Sequence, residues 1–389
     1  MSSISSSRVD ALDALRGFAL FGILVVNLPF LAHPIYNFAV QSVAANSADK
    51  IFEWLISFGF ELKFYVLFSF LFGYGLALQL ARADERGENL APRYFRRLFG
   101  LFVLGAIHAV FLFFGDILIG YAILGCLLWL VRDWQPRSLL KLSGGLLCLA
   151  AMTNIGLVLL ANAMPESEAE TLLLAEDARR AYLGTFSSSV EQRIQDWTIA
   201  FVFISLVNFS TALSIFALGL AAGKTRFFEN FARHRKIVNR ILPFALAIGV
   251  VGNFAFASFL GNGFVLIDAA AFGLTAFAAP ALTFCYIVVV LKLHERFAGL
   301  FAPVRAAGKM SLTNYMLQSV ICGFIFNGYG LGWYDQIGTT TGFALAAGIF
   351  VFQLFLSVWW LNRFRFGPDE WLLRSWTHLK WQRWQVNNK

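Results

Sequence analysis

The stretch LDALRGFALFGILVVN, residues 12–27, decides the fold class because it is an apolar run with Arg16 close to its N-terminal end. In a helix, Arg16 and Asn27 lie about three turns apart, so both fall on one face, roughly 16 Å from each other. A guanidinium and an amide are unfavourable in lipid, so such groups face protein or a watery cavity and are functional candidates. We therefore predict a membrane helix in which Arg16 and Asn27 belong to a site.

The composition of the whole chain is that of a membrane protein. Of its 389 residues, 58% are hydrophobic and 14% are charged, whereas soluble domains carry about 25% charged residues. The formal net charge is +8, but the basic residues lie in short loops between apolar runs, where membrane topology accounts for them. We therefore expect membrane lipids, and no nucleic acid, as partners of this chain.

The apolar runs predict an all-α, polytopic integral membrane protein with about ten transmembrane helices, each needing about 20 residues to cross. The predicted spans lie near 14–32, 63–81, 97–114, 117–131, 139–162, 197–222, 239–260, 264–291, 309–328 and 341–362. Segments 51–62 and 368–385 are amphipathic and predict helices that lie at the membrane interface. Residues 1–389 are expected to form a single membrane domain.

The charges of the loops predict the orientation. Loops after the second, fourth, sixth and eighth spans, and the C-terminal tail, are rich in Arg and Lys, whereas the alternate loops carry few. Basic segments face the cytoplasm, so both termini are predicted to be cytoplasmic. The long loop 163–196 is then extracytoplasmic, and its Ala/Glu/Leu/Arg-rich centre, 168–183, predicts a surface helix.

His108 and Asp116 are the most informative polar residues inside the apolar runs. Asp116 follows Gly115 at the natural break between two spans, where it either caps the next helix or pairs with His108. His108 is either an uncharged, hydrogen-bonded histidine of the bundle or a general base. The five histidines and four cysteines form no HxxxH, HxH or CxxC pattern, so we expect no metal site.

Other polar residues have two interpretations each. Lys63 either extends to water from the end of the second span or lines the mouth of a cavity. Ser69 precedes the run FGYG at 72–75, and this small-residue face either favours close helix packing or, through Ser69, binds substrate. Asn314 and Gln318 belong to a polar stripe on the ninth span that either joins helices or lines a substrate path.

The tail segment RFRFGPDEWLLRSWT, residues 363–377, contains the signals of a helix start. Pro368 is suited to the first helical position, and acids follow it in the first turn. Its tryptophans and interleaved bases predict anchoring at the inner leaflet. The alternative is a basic mouth, including Arg365, that attracts an anionic substrate.

The two terminal stretches, LDALRGFALFGILVVN and RFRFGPDEWLLRSWT, closely resemble signatures of the YeiB-like family of bacterial inner-membrane proteins. Three internal stretches resemble that family as well, so the resemblance covers nearly the whole chain. They are ELKFYVLFSFLFGYGLALQL, RRLFGLFVLGAIHAVFLFFGDILIGYAILG and GKMSLTNYMLQS. The resemblance implies a multi-pass protein of the bacterial cytoplasmic membrane.

The first span is more distantly similar to two families of transmembrane acyltransferases. Bacterial membrane O-acyltransferases begin with an LDGLRG element and place a catalytic His eleven residues after its Arg, where this chain has Asn27. The heparan-alpha-glucosaminide N-acetyltransferase family has an Asn at that spacing and its catalytic His further on. His33 follows Asn27 here, although at a different spacing. These similarities imply an acyltransferase-like bundle that uses cytoplasmic acyl-coenzyme A as donor substrate and no covalently bound cofactor.

Under that interpretation, each part of the chemistry has candidate residues. His33 or His108 is the base, and Asn27 or Lys63 donates to the developing oxyanion. Coenzyme A carries phosphates, which arginine binds well. The candidate arginines are Arg93, Arg96 and Arg97. No GxSxG motif is present, so direct transfer to an envelope or small-molecule acceptor is the simpler expectation.

Two other functions remain open at this point. One is a transporter or flippase of a metabolite or lipid, in which intramembrane His, Asp and Lys relay protons. The other is a non-catalytic membrane scaffold or sensor, for which Arg16, Asn27 and His108 matter only to folding. The sequence leaves the oligomeric state undetermined.

Overall fold

The computed structural model describes residues 3–37, 46–164, 167–261 and 263–386, and these ranges form fourteen α-helices with no β-strand beyond one isolated bridge. The helices are α1 (Ser3–Ala32), α2 (Ser47–Gly59), α3 (Phe64–Arg86), α4 (Ala91–Phe111), α5 (Leu118–Leu130), α6 (Pro136–Ala163), α7 (Glu168–Leu183), α8 (Phe186–Lys224), α9 (Phe231–Phe259), α10 (Val265–Arg296), α11 (Ala302–Lys309), α12 (Ser311–Phe326), α13 (Thr339–Leu361) and α14 (Pro368–His378). The predicted all-α polytopic fold class is confirmed.

Each predicted span coincides with an apolar helix. Among the described residues, eight helical runs are long and apolar enough to cross a membrane, one of them being α2 and α3 together, Ser47–Arg86. The other two predicted spans correspond to shorter apolar helices, α5 with 13 residues and α12 with 16 residues. Both are shorter than the length of about 20 residues that a helix needs to cross a bilayer. Helices α5 and α12 are therefore each long enough to span only part of the bilayer thickness.

The amphipathic segments are helical, with different ends from those predicted. Helix α2 begins earlier than residue 51, because the Asn46 side chain accepts a hydrogen bond from Asp49 N at 3.0 Å. Helix α14 stops at His378 and does not reach residue 385. Leu379 adopts a left-handed conformation with φ 51°, and the chain then returns so that Phe364 pairs with Gln385. The surface helix predicted at 168–183 is α7, with the same ends.

Helices α3 and α8 cross at a distance that only glycine permits. A Cβ on Gly73 would lie 2.0 Å from Phe216 O, and a Cβ on Gly219 would lie 2.2 Å from Phe70 O. Gly75, in the same FGYG run, has nothing within 4 Å. The small residues predicted to favour close packing therefore do so through Gly73, where the backbones of α3 and α8 touch.

Helices α9, α10 and α13 present large apolar side chains away from the core. Examples are Val251 on α9, Leu266 on α10 and Phe355 on α13, all exposed. In water such a surface would be unfavourable, whereas against lipid tails it is expected. The buried His108 chain described next lies instead among α4, α5 and α12.

Candidate functional site

A chain of three buried polar side chains joins α4, α5 and α12. His108 Nδ1 lies 2.8 Å from Asp116 Oδ2, and His108 Nε2 lies 2.9 Å from Ser319 Oγ. The exposed fractions of His108, Asp116 and Ser319 are 0%, 3% and 3%. With Asp116 Oδ2 as the acceptor of this hydrogen bond, the His108 proton is assigned to Nδ1. Nε2 is then the acceptor for the Ser319 hydroxyl.

The break between α4 and α5 holds Asp116 in position. Helix α4 ends at Phe111, and the next two backbone N–H groups donate to His108 O at 2.9 and 2.8 Å. Asp116 Oδ1 accepts from Ile119 N at 2.9 Å and so caps the first turn of α5. Gly105 leaves the space for this carboxylate, because a Cβ there would lie 2.7 Å from Asp116 Oδ1. Asp116 therefore does both things that the sequence allowed, one with each oxygen.

Aromatic rings and one small cavity surround this chain. The Tyr315 ring lies 4.7 Å from the His108 ring, centroid to centroid, and the Phe113 ring lies 6.1 Å away on an edge. Beside Asp116 is a cavity of about 10 Å³, with Tyr65, Tyr121 and Asn208 in its lining. That volume holds about one water molecule. The His108 chain is therefore shielded from bulk solvent, with room for about one water molecule beside Asp116.

Within the hydrogen-bonded chain Asp116–His108–Ser319, Ser319 is the residue to which the sequence assigned no role. It lies in the stretch GKMSLTNYMLQS, one turn after Tyr315, but it is separated from His108 by 211 residues. Its helical spacing from Tyr315 was the available signal. Within the described residues, no three His, Cys, Asp or Glu side chains are grouped as a metal site requires.

The other candidates from the first span lie elsewhere. Arg16 Nη1 pairs with Asp13 Oδ1 at 2.8 Å, near the start of α1. His33, at the other end of α1, places Nδ1 2.9 Å from Asp335 Oδ1. Asn27 is half-buried, and within the described residues no hydrogen bond joins it to Arg16, His33 or His108. The structure therefore places these four candidates in separate environments.

Lys63 is fully buried, with an exposed fraction of 0%, and does not extend to water. Its Nζ donates to Ser57 O at 2.7 Å and lies 5.9 Å from the centre of the Phe256 ring. Ser69 is closer to the site, because its hydroxyl lies 2.8 Å from that of Tyr121, which lines the cavity beside Asp116. Lys63 thus ties α2 to α3, whereas Ser69 supports the wall of that cavity.

The polar stripe of α12 joins helices through Asn314 and Gln318. Asn314 Nδ2 donates to Ala307 O at 3.1 Å and to Ser357 Oγ at 2.9 Å. Gln318 Nε2 donates to Gln353 Oε1 at 2.9 Å, and Gln353 Nε2 donates to Asn314 O at 2.8 Å. These bonds fix α12 against α13, which favours the structural interpretation of the stripe.

Three predicted phosphate-binding arginines lie at the start of α4. Arg93 pairs with Glu88 at 3.1 Å, and Arg96 Nε donates to Thr377 O at 3.0 Å. Arg97 lies 5.8 Å from the Phe72 ring. Arg365 is exposed, and its backbone N–H donates to Trp384 O at 3.0 Å.

The tail helix brings a further arginine to this end of the bundle. Burial lowers the pKa of Arg374 and Glu370 raises it, while the charges of Arg16 and Arg82 lower it further. Arg16 and Arg374 also act electrostatically on Arg97. We call Arg16, Arg82, Arg97 and Arg374 the inner arginine group, and Arg16 belongs to it rather than to a site shared with Asn27.

Comparisons with known proteins are consistent with one family over the length of the chain. Residues 222–380 match the family described as "Protein of unknown function (DUF418)". The chain is 31% identical to the uncharacterized protein YxaH of Bacillus subtilis over 401 aligned positions, covering 98% of this chain and 96% of the relative. It is 30% identical to an uncharacterized 39.9 kDa protein from the amylase 3' region of Bacillus acidopullulyticus, covering 95% and 94%. It is 26% identical to the uncharacterized protein YeiB of Escherichia coli, covering 95% and 96%.

Proposed function

Because the chain belongs to the YeiB-like family of multi-pass membrane proteins, we propose that it is an acyl-transfer enzyme of the bacterial inner membrane. The donor is a cytoplasmic acyl-coenzyme A, and the acceptor is an envelope component or a small molecule. The observation that carries the proposal is the hydrogen-bonded chain Asp116–His108–Ser319. An acid, an imidazole and a hydroxyl in this order form an acyl-transfer unit on unrelated folds, where geometry and role identify it.

The reaction has two steps in this proposal. The Ser319 hydroxyl gives its proton to His108 Nε2, Oγ bonds to the thioester carbon, and the C–S bond breaks as the proton passes to the leaving sulfur. The acceptor hydroxyl or amine then gives its proton to His108 and bonds to the acyl carbon. The bond to Ser319 Oγ breaks, and Ser319 recovers its proton. This two-step route through Ser319 differs from direct transfer of the acyl group to the acceptor, which the absence of a GxSxG motif had led us to expect.

Two neighbouring features support the proposal. The Tyr315 ring packs beside His108 and its hydroxyl oxygen lies close to the backbone of Ile117, so its O–H is our candidate donor to the oxyanion. The inner arginine group brings arginines of α1, α3, α4 and α14 within electrostatic range of each other, and Asp13 and Glu370 offset part of their charge. Guanidinium groups bind phosphate in a bidentate manner, and this group is where we place the coenzyme A phosphates.

The proposal is tested with purified full-length protein in lipid nanodiscs and acetyl-coenzyme A. We expect thioester cleavage and a transient acetyl group on Ser319, found by intact-protein and peptide mass spectrometry. His108→Gln and Ser319→Ala should each reduce cleavage at least about hundredfold. Ser311→Ala, on the same helix, is the matched control and should behave like the wild type. Absence of cleavage with acetyl-, hexanoyl- and palmitoyl-coenzyme A, or an unchanged rate in Ser319→Ala, contradicts the proposal.

A proton-coupled transporter is the second candidate, favoured by the two short helices α5 and α12. Transporters place their sites where membrane helices are interrupted, and both short helices contribute to the His108 chain. Proton flux into liposomes that the wild type supports and His108→Gln abolishes, without thioester cleavage, would favour this function over acyl transfer.

A further inference from the structure

Five tryptophan rings form a continuous row at the end of the bundle that holds the inner arginine group. The centroids of neighbouring rings lie 4.6–6.2 Å apart. In order along the row, the residues are Trp359, Trp360, Trp384, Trp371 and Trp381. We call these residues the tryptophan row, and they join the last turn of α13 to α14 and to the segment that follows α14.

Both ends of the tryptophan row are exposed, Trp359 by 48% and Trp381 by 73%. Leu372 and Leu379 of the same region are 44% and 65% exposed. Helix α13 is long and apolar enough to cross a membrane, and the row starts in its last turn. Tryptophan rings at the end of a membrane helix lie at the level of the lipid headgroups. We therefore place the tryptophan row at the membrane surface, in contact with lipid.

Four exposed cations flank the tryptophan row, namely Arg363, Arg365, Lys380 and Arg383. The Arg363 guanidinium lies 4.5 Å from the centre of the Trp359 ring, and its Nη1 donates to Trp359 O at 3.2 Å. The backbone N–H of Arg365 donates to Trp384 O at 3.0 Å, which places segment 363–365 beside the residues that follow Arg383. Cations from two separate segments are thus held next to the same aromatic surface.

The positive charge of this surface is not balanced within the protein. The acids of segment 363–386 are Asp369 and Glu370, and both are part-buried. Glu370 accepts hydrogen bonds from Leu312 N and from the Thr313 hydroxyl of α12, so it faces the bundle. Among the described residues, none of the four exposed cations takes part in an ion pair. A negatively charged lipid headgroup supplies the missing charge at the membrane surface, whereas a zwitterionic headgroup does not.

We propose that this surface binds an anionic phospholipid. The phosphate lies against Arg363, Arg365 and Arg383, and the glycerol and acyl regions lie against the tryptophan row. Guanidinium groups bind phosphate through two parallel hydrogen bonds. The inference does not depend on the proposed acyl transfer, because these three arginines belong neither to the inner arginine group nor to the His108 chain. Because α14 is docked on α4, with Arg96 Nε donating to Thr377 O, a lipid that binds only the docked tail stabilises the folded protein.

The test is native mass spectrometry of delipidated, full-length protein with equal concentrations of phosphatidylglycerol and phosphatidylcholine. The two lipids share the glycerol backbone and acyl chains and differ in net charge. We expect the wild type to bind phosphatidylglycerol on the order of tenfold more tightly, and the variant Arg363→Gln/Arg365→Gln/Arg383→Gln to lose this preference. Arg383→Gln alone changes one exposed side chain and should reduce the preference about fivefold, which keeps the test independent of the folding of the triple variant.

The matched control removes three exposed cations from the start of α9, as Arg233→Gln/Arg235→Gln/Lys236→Gln. These residues lie at the same end of the bundle, because Arg226, shortly before α9, is 3.8 Å from Glu85 at the end of α3. The control loses as much charge as the tail variant but should keep the preference for phosphatidylglycerol. Phosphatidylglycerol should also raise the melting temperature of the wild type and of the control, but not that of the tail variant.

Three results overturn the assignment: equal binding of the two lipids by the wild type, an unchanged preference in both tail variants, or equal losses in the tail and α9 triple variants. Equal losses would show that the basic residues act only through total charge. A fourth contrary result is displacement of phosphatidylglycerol by excess coenzyme A, which would assign the surface to a soluble phosphate compound. Absence of thioester cleavage contradicts the proposed reaction and leaves the lipid assignment intact.

Discussion

Asp116 is a residue with two simultaneous contacts, and the sequence could not show that both exist. From the sequence, capping of α5 and pairing with His108 were alternatives, because each needs one carboxylate. The structure assigns Oδ1 to Ile119 N and Oδ2 to His108 Nδ1. The local contact was predictable from the break at Gly115. The arrival of Ser319 at Nε2 was not, because it depends on packing between helices 211 residues apart.

Replacing Asp116 by Asn separates its two contacts. The Asn Oδ1 still accepts from Ile119 N, but its amide donates toward Nδ1, so the proton of His108 moves to Nε2. Nε2 can then no longer accept the Ser319 proton. We expect thioester cleavage to fall at least about hundredfold with a melting temperature near that of the wild type. Asp116→Ala should also lower the free energy of unfolding by about 1–3 kcal/mol. A fully active Asp116→Asn protein would show that the tautomer of His108 is irrelevant.

At the scale of helices, the correct predictions of helix positions rest almost entirely on the lengths of the apolar runs. A bilayer demands a minimum apolar length, so positions of the spans are visible in sequence. The start of α14 at Pro368 was correct, but its predicted C-terminal end was wrong, because the left-handed Leu379 and the pairing of Phe364 with Gln385 are tertiary features. The crossing of α3 and α8 was visible only as small residues, and the sequence could not distinguish Gly73 from Gly75.

The crossing of α3 and α8 gives a prediction with an internal control. Gly73→Ala places a Cβ 2.0 Å from Phe216 O, so the two backbones must separate. We expect a loss of about 1–3 kcal/mol in the free energy of unfolding, seen as a lower melting temperature in detergent. Gly75→Ala meets nothing within 4 Å and should be neutral or slightly stabilising. Equal melting temperatures for the two variants would mean that α3 and α8 do not touch at Gly73.

At the scale of the whole molecule, the tail closes the end of the bundle that holds the inner arginine group. Glu370 Oε2 accepts from the Thr313 hydroxyl, and Oε1 accepts from Leu312 N, both at 2.6 Å, so α14 caps α12. Trp376 Nε1 donates to Arg96 O at 2.8 Å and ties α14 to α4. The sequence predicted this helix and gave it two possible roles, anchoring to lipid or attraction of substrate. It did not predict the cap on α12, because a cap between separate helices leaves no local sequence pattern.

The tail contact should make stability depend on pH. Burial raises the pKa of Glu370, although hydrogen bonds from Thr313 and Leu312 oppose the shift. The native state therefore holds the proton more tightly than the unfolded chain. Its contribution is complete below about pH 4.5 and is lost as the pH rises through the raised pKa. The melting temperature of the wild type relative to Glu370→Gln should thus fall as the pH rises above about 4.5.

A difference that stays constant or grows as the pH rises would contradict the raised pKa of Glu370. Glu176→Gln is the control with the opposite sign. The hydrogen bond from Arg180 lowers the pKa of Glu176 on the exposed face of α7, so any contribution from Glu176 is lost as the pH falls.

The contact of α1 with α11 also determines when α1 can complete its packing during biosynthesis. A Cβ on Gly17 would lie 2.0 Å from Val304 O, and one on Gly308 would lie 1.8 Å from Asp13 O, so the two backbones touch directly. A ribosome adds about 5–20 residues per second, so roughly 15–60 s pass between synthesis of the first segment and of its partner. During biosynthesis, α1 therefore stays in the bilayer with Gly17 not yet in contact with Val304. That contact can form only after the last quarter of the chain leaves the ribosome.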